Sequence, residues 1–94
     1  MATGAAHGWT FLSNHGHVLV ALSRDPDARV REIAEVVGIT ERAAHAILRD
    51  LEDAGYVTKE KVGRRNAYGL HTDLRLRHPA EADTAVRDLL AIFK

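Results

Sequence analysis

The chain has no cysteine among its 94 residues. That absence excludes a disulfide framework, a thiolate metal site and a thiol nucleophile. Long apolar runs are missing too. None approaches the roughly 18–20 residues that a membrane-spanning helix needs. Residues 1–8 lack the basic and apolar stretches of a secretory signal. These absences together lead to the expectation of a cytoplasmic protein with no membrane partner. Net charge is also lacking: 13 Lys and Arg stand against 13 Asp and Glu. On its face, a neutral total argues against nucleic acid as a partner.

The neutral total hides a division. Residues 1–23 carry no Asp, Glu, Lys or Arg, and residues 24–55 have a net charge of −3. Residues 56–77 reach +4, and residues 78–94 return to −1. A basic segment therefore follows an acidic one. Arginine outnumbers lysine ten to three and alanine is abundant. GC-rich coding raises both, so arginine abundance alone is no evidence of phosphate binding. The length fits one domain with a small core, because a chain this short buries only about 60% of its unfolded surface.

Hydrophobic spacing sets the order of elements. Residues 1–8 read as a flexible tail, followed by the apolar Trp9, Phe11 and Leu12. Ser13 or Asn14 can cap a helix that runs to about Ser23, with Val18, Leu19 and Leu22 on one face. A second helix fits Arg31 to Val37 and stops at Gly38. Thr40 caps a third, Glu41 to about Ala54, whose stripe is Ala44, Ile47, Leu48 and Leu51. After Gly55 the period changes. Tyr56–Thr58 and Asn66–Leu70 favour strands, and the polar turn between them predicts a hairpin with a longer than minimal loop. His78-Pro79 then opens a last helix with Ala82, Val86, Leu89 and Phe93 in its stripe and Leu90 beside them. The expected fold class is mainly α with a small β-hairpin, in the order α-α-α-β-β-α.

Residues 30–49 hold the sharpest pattern. Ala34 is small where two helices would cross, Gly38 takes the turn, Ile39 plugs the core below it, and Ala44 and Ile47 anchor the next helix. Two helices joined by a short Gly-containing turn can aim the second at a DNA major groove. Three segments, Val30 to Ala44, Leu51-Glu52-Asp53-Ala54-Gly55-Tyr56-Val57, and Gly63 to Tyr68, together resemble a winged helix-turn-helix transcriptional regulator of the bacterial MarR and ArsR type. The resemblance covers roughly residues 12–77. It implies a sequence-specific, usually dimeric DNA-binding repressor or activator. The chain lacks the cysteines through which many ArsR-type proteins sense metal.

Removing the buried stripe from the third helix leaves Thr40, Glu41, Arg42, His45 and Arg49 facing outward near its N-terminal half. Arginine can fork onto guanine, histidine can donate or accept at base edges, and a Thr-capped helix start can hold a phosphate. The plainer reading of these residues is a solvated helix face. At the hairpin, Lys59, Lys61, Arg64, Arg65 and Asn66 cluster near the tip. A basic wing can follow the phosphate backbone or enter a minor groove, although any exposed tip is polar.

The six histidines show no metal-ligand spacing, so surface or capping roles are expected and no cofactor is implied. No Ser, His and carboxylate spacing points to an enzyme. Residues 9–77 are taken as the DNA-binding domain and 78–94 as a C-terminal helix. Trp9, Phe11, Val86, Leu89, Leu90 and Phe93 would build either the core or a homodimer contact. Two readings compete with DNA binding: a protein–protein interaction module without DNA, and a sensor of a small ligand or metal.

Overall fold

The computed structural model describes residues 8–93. The expected tail lies outside the described residues except for Gly8. The element order is α1 (Asn14–Arg24), α2 (Val30–Val37), α3 (Glu41–Asp53), β1 (Val57–Val62), β2 (Arg65–Leu70), a 3-10 turn at Pro79–Glu81, and α4 (Val86–Ala91). The two strands form one antiparallel sheet. This is a winged helix fold.

Local chemistry sets the helix ends. The Ser13 hydroxyl accepts from the Gly16 N–H at 3.3 Å to start α1. The Arg29 N–H donates to Glu32 at 2.7 Å at the start of α2. Thr40 Oγ1 accepts from the Ala43 N–H at 3.0 Å at the start of α3. Between α2 and α3 the chain must reverse within three residues. Gly38 does this at φ +87°, where a side chain would be strained. The N–H groups of Gly38 and Ile39 both close on the Ala34 carbonyl, at 2.8 and 3.0 Å.

Val18, Leu22, Ile33, Leu48 and Val86 are the largest fully buried side chains. They join α1, α2, α3 and α4 to the hairpin root at Tyr56, Val57 and Tyr68 in one cluster. Ala34 and Ala44 are buried in the paired helices α2 and α3, as their small size required. No helix among the described residues is long and apolar enough to cross a membrane.

Two expectations need correction. The hairpin loop is minimal: Val62 pairs with Arg65, leaving only Gly63-Arg64 between the strands. Gly63 has φ +65° and no other residue of the loop has positive φ. Glycine at the first loop position suits the tight turn that matches strand twist. The C-terminal helix is also much shorter than residues 78–93. His78-Pro79 opens only one 3-10 turn, with His78 Nδ1 accepting from the Ala80 N–H at 3.0 Å. The chain then extends, because its backbone groups are used elsewhere. The Leu76 N–H donates to Thr84, Val86 to Leu74 and Arg87 to Thr72, at 3.0, 2.8 and 2.9 Å. Arg75 and Ala85 form an antiparallel bridge. Only beyond it can α4 begin.

Candidate nucleic-acid interface

The interface is built from α3 outward. Ala44, Ile47, Leu48 and Leu51 are buried, so the rest of the helix apart from the half-buried Ala43 is turned to solvent. Arg42, His45 and Arg49 are exposed. Their spacing of three and four residues puts them on one face. Glu41 is exposed in the first turn, where its charge suits the helix dipole. Thr40 is exposed, with its oxygen engaged in the cap. Among the described residues, one basic side chain lies within 4.0 Å of a carboxylate: His15 Nε2 is hydrogen-bonded to Asp50 Oδ2 at 2.9 Å. It ties the start of α1 to α3. Arg42 and Arg49 therefore face solvent without a carboxylate on them.

The wing continues the basic surface. Lys59 lies opposite Tyr68, and Lys61 opposite Asn66. Side chains alternate across a strand, so the two lysines share a face. Both are exposed, as is Arg64 in the turn, while Asn66 is half-buried. Arg65 differs from these. It is half-buried, and its Nη2 donates to the Asp27 carbonyl in the turn between α1 and α2. Arg75 is engaged too, donating from Nη1 to the Asp83 carbonyl at 2.7 Å.

At the wing root, Tyr68 is buried in the core cluster. Burial raises its phenol above the usual tyrosine value, and the nearby Glu52 charge adds to the rise. The Tyr56 hydroxyl donates to the Arg75 carbonyl at 2.5 Å.

The residues expected at the core or a dimer contact divide. Val86 and Leu90 are buried in the chain's own core, and Leu89 and Phe93 are half-buried. Trp9 is 73% and Phe11 92% exposed, and their rings meet edge to face with centroids 5.1 Å apart. Three histidines besides His15 have partners of their own. His17 is 3.2 Å from the Thr10 hydroxyl, His71 touches Thr58, and His78 caps its turn. His7 lies outside the described residues. Among the described residues no three His, Asp or Glu side chains gather as a metal site would require.

Sequence reasoning missed the His15–Asp50 pair and the Arg65–Asp27 contact. Their partners lie 35 and 38 residues apart, and no local spacing signals either contact.

Comparison with known proteins agrees with the fold. Residues 13–58, which span α1 to the first residues of β1, match the family model for winged helix-turn-helix DNA-binding domains. Among solved structures the chain is similar to MepR, a transcription regulator of the Staphylococcus aureus multidrug efflux pump MepA. The TM-score is 0.57 at 22% identity, over 86% of this chain. The chain spans 56% of the MepR chain, and the likeness shows the fold. No curated protein sequence matches the chain.

Proposed function

We propose that this protein binds double-stranded DNA sequence-specifically as a homodimer and regulates transcription, as a cytoplasmic regulator of the MarR or ArsR type. The carrying observation is the outward face of α3. Arg42, His45 and Arg49 stand together, free of carboxylate partners, opposite a fully buried stripe. A helix held this way can lie in a major groove with Arg42 and His45 on base edges. Thr40, Glu41 and the α3 start sit where the helix meets the backbone. Lys59, Lys61 and Arg64 then follow phosphates, with Asn66 as a further donor. Occupying an operator acts sterically on polymerase, and no residue takes a catalytic role.

The homodimer rests on different residues. With Val86 and Leu90 already used inside the chain, Trp9 and Phe11 are the two of the six expected core or dimer residues that stay exposed for a second copy. Two-fold pairing sets two α3 helices about one helical turn apart on a pseudo-palindromic site.

Selection of bound sequences from a random duplex pool tests the reading. It expects one enriched motif with two related halves. An unenriched pool, with no duplex binding at low salt, refutes it. Sedimentation at micromolar concentration tests the dimer, and a monomer overturns that part.

One observation favours a second reading, a small-ligand sensor. A cavity of about 400 Å³ opens beside Phe11, Leu19, Leu51, Leu76 and Val86. An apolar ligand lodged there would raise the melting temperature and change duplex affinity. A thermal-shift screen without any such ligand leaves DNA binding unregulated at this site.

A further inference from the structure

Arginines 64 and 65 are neighbours with different surroundings. Arg64 occupies the exposed turn, whereas Arg65 begins β2 opposite Val62 and is half-buried. Its guanidinium leaves the hairpin and reaches the turn between α1 and α2. There Nη2 donates to the Asp27 carbonyl, while Nε is buried without a hydrogen-bond partner. That turn is itself ordered, with the Asp27 N–H on Asp25 Oδ1 at 3.3 Å and the Ala28 N–H on the Asp25 carbonyl at 3.0 Å.

A solvated arginine would keep all its N–H groups in water, because burying a polar donor without a partner costs free energy. Arg65 does the opposite. Beyond Tyr68 the hairpin buries no side chain fully, so its outer half has little else to fix its direction. The guanidinium suits such a place: it stays charged and presents several donors from a rigid plane, which a lysine cannot do.

We propose that Arg65 is a positioning residue: it latches the wing to the α1–α2 turn and sets the wing's angle to α3, leaving Lys59, Lys61 and Arg64 to meet phosphate. The value of that angle for binding rests on the DNA reading above, but the latch itself can be tested without DNA.

The chain has no cysteine, so two nitroxide labels can be placed cleanly in a Glu35→Cys, Lys61→Cys variant, one on α2 and one on the wing. With Arg65 present, the label-to-label distance distribution is narrow. With Arg65→Ala its width roughly doubles, because the outer hairpin is then free to swing. Arg65→Lys falls between the two, since it keeps a cation but not the planar fork. Circular dichroism confirms that each variant is folded, and Arg65→Lys carries the test should the alanine variant unfold.

Duplex binding supplies the second arm. Losing one phosphate contact makes the log–log salt slope shallower by about 0.9. Arg64→Ala shows that single step. Arg65→Ala shows a larger one, because several wing cations lose their register together, and in its background Arg64→Ala has little further effect. An unchanged distance distribution overturns the latch. So does strict additivity of Arg64→Ala and Arg65→Ala with a single slope step each, which would make Arg65 an ordinary phosphate contact. Absence of duplex binding by the parent protein refutes the DNA reading alone, and the label distances then decide the latch.

Discussion

Four of the 13 residues of α3 are buried, spread from Ala44 to Leu51 along most of its length. In the two six-residue strands of the wing only Val57 and Tyr68 are buried, both towards the root. The helix is therefore fixed at several points along one face. The wing is fixed at its base, by its own ladder and by Arg65. A face fixed that firmly can present side chains to base edges in constant register. A lever fixed at its root can adapt to a backbone whose shape varies with sequence. Damage to the first region should appear as lost stability, and damage to the second as altered binding by a protein that stays folded.

The sharpest break of that contrast is a cavity in the helical half. Leu48→Ala should cost about 2–5 kcal/mol in urea unfolding, as expected for a large side chain removed from a packed core. Val62→Ala in the outer wing should stay within about 0.5 kcal/mol, because Val62 is exposed. Comparable losses at the two positions would mean that the wing is as firmly built in as α3. Next in size is the effect on DNA. Arg42→Ala should relax the preference at one base position by about 1–3 kcal/mol. Arg64→Ala should weaken all sequences alike. Binding profiles over a set of single-base operator variants separate the two, and the contrast fails if both substitutions change the preferred sequence.

A smaller effect separates the cap from the contacts. Thr40→Ala removes the acceptor for the Ala43 N–H and should cost about 1 kcal/mol of stability. Thr40→Ser should restore it. Should duplex binding fall in Thr40→Ala and return in Thr40→Ser while stability falls in neither, Thr40 acts on the phosphate and not on the helix.

How much was legible in the sequence follows the same division. α1, α2 and α3 are periodic, and their caps sit next to the residues they cap, so Ser13, Thr40 and Gly38 could be read in place. The outward set on α3 followed by subtracting its buried stripe. The C-terminal stretch could not be read this way. Its path depends on backbone bonds between residues 72–76 and 84–87, and backbone groups are the same in every residue. The apolar spacing of Ala82, Val86, Leu89 and Phe93 looked helical, yet Ala82 sits outside α4 and is exposed. Arg65 was legible as a cation near the wing tip. Its engagement with Asp27 was not, because nothing local distinguishes it from Arg64.

The smallest effect belongs to the joint between the two regions. Tyr68 holds its proton more tightly in the fold than in the unfolded chain, through burial first and the Glu52 charge second. A group that binds its proton more tightly when folded adds stability that is fully present below the unfolded value near pH 10. That stability is lost as pH rises further, through the higher folded value. Unfolding by urea at intervals from neutral pH to beyond pH 10 should therefore show an alkaline decline that Tyr68→Phe makes shallower. Glu52→Gln should make it shallower by less, since its charge is the lesser cause. Equal declines in the parent and in Tyr68→Phe would show that the wing root titrates no differently from the open chain, and the joint would then be held by apolar packing alone.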